Sequence, residues 1–148
     1  MSGAAETIHA STVVVGERAV IIRGASGAGK SRLAAKLIDA GKTGLLRYVR
    51  LVADDRVKIF VAHGRLLVSA PDSIRGMMEV HGLGIRKFAC EPMAVAGWVV
   101  DVGAEDAVRM PEPAFAELLS VKIPRLAIKA NKDALPILLA AFTTAPMG

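Results

Sequence analysis

The sequence predicts an α/β fold with a mixed β-sheet, and three observations carry that prediction. A short β-branched run, Ala19-Val20-Ile21-Ile22, leads almost directly into Gly24-Ala25-Ser26-Gly27-Ala28-Gly29-Lys30-Ser31, a complete G-x-x-x-x-G-K-S phosphate loop, and a helix-like stretch follows it. Several other apolar runs are joined by turns too short to hold a helix, so strands adjacent in sequence should pair antiparallel beside the phosphate-loop strand. Finally, 148 residues at 53% hydrophobic supply one substantial core and hardly two, so residues 1–148 are read as one domain.

Residues 12–15 and 19–23 flank Gly16-Glu17-Arg18 and read as a hairpin that delivers the chain into the loop. Residues 31–40 place Leu33, Ala34, Leu37 and Ile38 on one helix face, with Gly41 expected to end the helix. Residues 50–53 form an apolar strand that ends in Asp54-Asp55. Residues 57–62 and 65–70, around His63-Gly64, read as a second hairpin. Residues 71–85, punctuated by Gly76, Gly82 and Gly84, are expected to be mostly loop. Residues 95–102 read as a buried strand, 113–119 as a short helix and 126–128 as a strand. A terminal helix over 133–142 would be capped by Asp133, with Pro136 tolerated in its first turn.

Composition removes several function classes. The net charge of +5 and pI near 9.7 suit an acidic or phosphorylated partner, but the basic residues are scattered. With one Trp, one Tyr and four Phe there is no stacking platform, so no nucleic-acid partner is expected. Mean hydropathy is high at +0.44, yet no apolar run approaches the roughly 18 to 20 residues of a helical span, so no membrane association is expected. The opening Met1-Ser-Gly-Ala-Ala-Glu lacks a basic region followed by an apolar stretch, which points to a cytoplasmic protein without a signal peptide. Cys90 is the single cysteine and reads as a core or surface residue rather than a nucleophile.

The chemistry concentrates in three places. In the loop, Gly24, Gly27 and Gly29 let backbone N–H groups converge on phosphate, the helix N-terminus adds partial positive charge, Lys30 can reach the terminal phosphates, and the Ser31 hydroxyl can ligate Mg²⁺. Ala25, Ser26 and Ala28 complete the nucleotide-binding stretch. Next, Leu51-Val52-Ala53 carries Asp54-Asp55 to a strand end, where one carboxylate can face a metal and the other an acceptor. Last, Glu79 precedes the closely spaced Gly82 and Gly84, a metal ligand beside backbone free to approach phosphate.

The order G-x-S-G-x-G-K-S, then Leu51-Val52-Ala53-Asp54-Asp55, then Glu79-Val80-His81-Gly82-Leu83-Gly84-Ile85, resembles the catalytic domain of HPr kinase/phosphorylase. That family phosphorylates a serine of HPr, the small phosphocarrier of the sugar phosphotransferase system, with ATP or pyrophosphate, and many members also remove the phosphate with inorganic phosphate. The resemblance covers residues 9–142 and implies the short form without an N-terminal domain, as in some proteobacteria with a regulatory phosphotransferase relay. It further implies a mixed-sheet core related to phosphoenolpyruvate carboxykinase, use of ATP and Mg²⁺, and a homo-oligomer, a hexamer.

Position by position, the resemblance makes His9 an aid to the catalytic acid, Lys30 the contact to the transferred phosphoryl, and Ser31 and Glu79 metal ligands. One of Asp54 and Asp55 becomes the base that takes the proton of the acceptor serine, and Arg109 falls near a catalytic arginine. Residues 121–128 resemble the stretch before the family's phosphorolysis loop. Three departures stand out. His81 replaces an arginine, so a permanent charge becomes a titratable one. Lys129-Ala-Asn-Lys-Asp133 replaces Arg-Pro-Gly-Arg-Asn, so phosphorolysis of phospho-HPr should be weak, and residues 42–48 form a longer link than usual. A GTPase is disfavoured because Asn131-Lys132-Asp133 departs from N-K-x-D and no D-x-x-G follows the loop. The remaining alternatives are an ATP-dependent small-molecule kinase and a nucleotide-dependent HPr-binding sensor that transfers no phosphate.

Overall fold

A computed structural model describes residues 5–145; residues 1–4, read above as part of a leaderless start, lie outside it. In chain order the strands are β1 (Ala5–His9), β2 (Ser11–Val15) and β3 (Arg18–Arg23), followed by helix α1 (Lys30–Lys42). Then come β4 (Val49–Ala53), β5 (Arg56–Ala62), β6 (Arg65–Ser69), β7 (Met77–Val80), β8 (Gly84–Lys87) and β9 (Met93–Val102). The chain closes with β10 (Ala114–Leu118), β11 (Val121–Ile128) and α2 (Ala134–Thr143).

The sheet is mixed, as its turn lengths require. Its strands run β1-β5-β6-β9-β3-β2-β4, and the β10–β11 hairpin joins at β9. Long β9 is shared: its first residues pair antiparallel with β6, and its second half runs parallel to both β3 and β11. The parallel β3–β9 pair places Arg23 and Asp101 side by side at the C-terminal edge, where the phosphate loop departs. Ligands of α/β sheets gather at such strand ends.

Alternation along each strand builds a core on either face. On β3, Val20 and Ile22 pack under α1 and α2, against Leu33, Ala34, Leu37 and Leu138. Ala19 and Ile21 point the other way, against Val57, Ile59, Val68 and Val99 of the curled sheet. The apolar residues that mark α1 in the sequence are thus the ones that press it onto the phosphate-loop strand. No helix among the described residues is long and apolar enough to cross a membrane.

Four expectations need correction. Gly41 does not end α1, which runs on to Lys42 with Thr43 as its cap; a Cβ at Gly41 would lie 2.8 Å from the Val49 Cβ, so the glycine serves close helix–strand approach. Residues 71–85 are not mostly loop, since β7 and β8 pair from Met77↔Lys87 to Val80↔Gly84. The expected helix at 113–119 is strand β10: Ala-Phe-Ala-Glu-Leu has fair helix propensity, but pairing with β11 overrides it. Strand β11 begins at Val121, five residues before the expected start. The terminal helix forms as read, and the Asp133 carboxylate accepts from the Leu135 N–H at 3.1 Å.

Candidate functional site

The phosphate loop is shaped by close packing at one end and left-handed backbone at the other. A Cβ on Gly24 would meet the Val102 carbonyl oxygen at 2.9 Å, so only glycine lets the chain leave β3 against the end of β9. Gly29, the residue before α1, has φ 97°, a conformation that costs glycine little. Lys30 is only 7% exposed, and its Nζ donates to the carbonyls of Gly24 at 3.0 Å and Ala25 at 3.3 Å. The ammonium is therefore folded over its own loop, above amides at a helix N-terminus, a ready place for polyphosphate.

A buried serine, Ser11, ties both aspartates together beside this loop. Antiparallel pairing of β2 with β4 sets Thr12 opposite Ala53 and carries Ser11 to the strand end. Ser11 Oγ donates to Asp54 Oδ1 at 2.8 Å, and Ser31 Oγ donates to the same oxygen at 2.5 Å. The Asp55 N–H in turn donates to Ser11 Oγ at 3.1 Å. Asp55 has φ 68°, so a turn rather than strand alternation separates the two carboxylates. Asp54 turns inward to Ser31 and Asp55 lines the cleft.

That cleft has a volume of about 480 Å³ and is bounded by Ser26, Lys30, Ser31, Asp55, Glu79 and His81, among others. Glu79 comes from β7 and His81 from the turn after it, so the hairpin read as loop forms the wall facing the phosphate loop. Ser31 and Asp54 present hard oxygen donors in contact, with Glu79 on the same cleft, which suits Mg²⁺. Among the described residues, no three of His, Cys, Asp and Glu form a metal site by themselves. An ion here would complete its shell with phosphate oxygens and water, the usual state of protein-bound Mg²⁺.

His9 and Arg109 stand outside the cleft. His9 ends β1 opposite Arg56, and its neighbour Ala10 donates its N–H to the Asp55 carbonyl at 3.0 Å. It flanks the aspartate turn without lining the cavity. Arg109 is exposed in the 103–113 segment, whose first residue, Gly103, faces Ala28 of the phosphate loop.

Sequence reasoning missed Ser11 and a charged network behind the loop. Arg23, the residue before Gly24, donates to both Asp101 oxygens at 2.7 and 2.8 Å. Arg125 donates to Asp101 at 2.5 Å and to Asp106 at 2.8 and 3.1 Å. Burial pushes the Asp101 carboxyl up, but hydrogen bonds and charge from Arg23 and Arg125 outweigh it and hold it below the usual carboxylate range. The hydrogen bonds that Arg125 donates to Asp106 and then to Asp101 raise its pKa against the desolvation that opposes them. A signal was present in two apolar runs ending in opposite charge, Ala19-Val20-Ile21-Ile22-Arg23 and Val99-Val100-Asp101, but only the parallel register brings those ends together.

The chain is similar in sequence and fold to known proteins. Residues 3–89 match the family described as HPr Serine kinase C-terminal domain. An HPr kinase/phosphorylase of Lactobacillus acidophilus is 39% identical over 80 residues, covering 53% of this chain and 23% of that protein. Its counterpart in Clostridium tetani is 45% identical over 78 residues, with the same 53% and 23% coverage. The matched stretch thus spans less than a quarter of either relative. The solved structure titled Hpr(Ser) kinase/phosphatase from Coxiella burnetii superposes with a TM-score of 0.75 at 25% identity, over 93% of each chain.

Proposed function

This chain belongs to the HPr serine kinase C-terminal domain family, and we propose that it is an enzyme, a single catalytic domain that phosphorylates a serine of HPr from Mg·ATP. The observation that carries the reading is the meeting of phosphate loop, Ser31–Asp54 contact, Asp55 and Glu79 at one cleft. Residues 24–31 hold the nucleotide, and Lys30 exchanges the Gly24 and Ala25 carbonyls for phosphate oxygens. Ser31, Asp54 and Glu79 would hold Mg²⁺, which supplies charge neutralisation at the phosphates.

Asp55 acts as the base. As the serine oxygen bonds to the γ-phosphorus, its proton passes to the Asp55 carboxylate, while the bond from phosphorus to the β–γ bridging oxygen breaks and ADP leaves. His9 supports the turn that presents Asp55, and Arg109 contributes positive charge from the segment beside the phosphate loop. Phosphorolysis is weak, because Lys129 and Lys132 lack the bidentate geometry of paired arginines, and Asp133 is engaged in capping α2 and pairing with Lys36 at 3.4 Å. The same reading gives a cytoplasmic hexamer.

The test is incubation of purified protein with Mg·ATP and HPr, with phosphate located by mass spectrometry. Phosphoserine on HPr is expected, and Lys30→Ala should lower its formation by roughly 10²- to 10³-fold. Phosphate found on a metabolite, or HPr bound without transfer, would replace this reading with one of the two alternatives.

A further inference from the structure

The β7–β8 hairpin has a cavity on each side. Beyond it from the phosphate loop lies a groove of about 500 Å³, and Val80 borders both spaces. Its floor is apolar, built from Ile38 of α1, Val49 of β4 and Phe88. Its rim carries Lys42, Arg50, Arg86 and Lys87, with no carboxylate among the lining residues.

Local structure explains the charge. Arg86 pairs across the hairpin with Met78, which is buried in the core beneath α1, so Arg86 shares the face turned toward that helix. Arg50 stacks its guanidinium 4.5 Å from the centre of the Tyr48 ring, and the Tyr48 hydroxyl donates to Glu91. That pair fixes one wall, with Tyr48 46% exposed, while Leu83 stands 61% exposed in the hairpin turn.

An apolar floor beneath four cations has a narrow set of partners. A small inorganic anion would neutralise the rim and leave Tyr48, Leu83 and the floor uncovered. A second copy of this chain, at net charge +5, would bring further positive charge to a positive face. An acidic segment with an apolar face satisfies both features, and the wall shared through Val80 sets it beside the phosphate-transfer cleft.

We propose that this groove is the docking surface for an acidic, apolar-faced segment of the protein substrate, so that recognition is separated from chemistry by the thickness of one hairpin. The inference rests on the kinase reading of the adjoining cleft. Rim charge of this kind acts on association rate and specificity and weakens as salt screens it.

Fluorescently labelled HPr titrated with wild type and with the Arg86→Glu/Lys87→Glu double variant tests it. Binding by the variant should weaken by about tenfold or more at roughly 50 mM salt, with a much smaller difference near 0.5 M. In turnover, KM for HPr should rise in step while KM for ATP and kcat at saturating HPr hold. Both side chains are exposed, and matching thermal melts guard against a folding artefact. Leu83→Asp, which alters the apolar wall, should weaken binding independently. Equal affinity of wild type and both variants for HPr would overturn the proposal. Wild-type binding that weakens in the variants but yields no phosphoserine would sink the kinase reading and uphold the groove, and no wild-type binding at all would remove both.

Discussion

The Ser11 hydroxyl donates to the Asp54 carboxylate at 2.8 Å, from a side chain with no solvent exposure, and accepts the Asp55 N–H as well. One buried oxygen therefore sets the positions of both acids. Ser11→Ala strands the Asp55 N–H and leaves the Asp54 carboxylate with the Ser31 hydroxyl but without that of Ser11, at a cost of about 1 to 3 kcal/mol in stability. HPr phosphorylation should fall while ATP affinity stays near wild type, because the phosphate loop is untouched. Denaturant unfolding and steady-state kinetics measure the two effects, and wild-type values for both would mean that the turn holds itself.

Asp54 touches Ser31 and Asp55 lines the cleft, so their Asn variants should fail differently. Asp55→Asn should cut phosphoserine formation by about 10²- to 10⁴-fold with ATP binding nearly intact. Asp54→Asn should raise the Mg²⁺ concentration needed for half-maximal rate, with part of the loss recovered at high Mg²⁺. Titrating Mg²⁺ for each variant separates the roles; identical Mg²⁺ curves would refute the division.

The loop, the aspartate pair and Glu79 were legible because each is a local pattern: glycines before Lys-Ser, acids closing an apolar run, and an acid before paired glycines. Their convergence was not local. It depends on a hairpin over 77–87 whose β8 strand is exposed throughout, so the alternation that betrays a half-buried strand is missing. β1 was invisible for the same reason, since only Ile8 in it is even partly buried. The assignment of residues 113–119 to helix failed where intrinsic propensity opposed cross-strand pairing, and pairing won.

Gly41→Ala sets those two levels against each other. Alanine is favoured by about 1 kcal/mol in a helix interior. The new Cβ would lie 2.8 Å from both Cβ and Cγ2 of Val49, which is buried and cannot retreat. Overpacking should win, leaving a net loss of about 1 to 3 kcal/mol. Adding Val49→Ala should return part of it, a coupling readable in a double-mutant cycle of unfolding midpoints. A more stable Gly41→Ala protein would show that α1 can lift from β4 at little cost.

Acid should loosen the base of the phosphate loop through Asp101. Its carboxyl is held below the usual range in the folded chain, so its contribution is fully present above the unfolded-state value near 3.9 and is lost as pH falls through the lower folded value. Asp101→Asn removes the anion that Arg23 and Arg125 share and leaves both guanidinium groups facing an amide. At neutral pH the variant should be less stable by about 1 to 3 kcal/mol, a partly solvated pair lying below the fully buried case. Because Arg23 is bonded directly to Gly24, ATP affinity should fall as well, although Asp101 lies outside the cleft lining. Unfolding free energies of wild type and variant between pH 7 and pH 3 decide the matter: the gap should narrow as pH falls below the unfolded-state value near 3.9, since the unfolded wild type then takes up a proton that folded Asp101 resists. A gap that stays constant across that range would mean that the ion pair adds nothing and that the loss comes from packing alone.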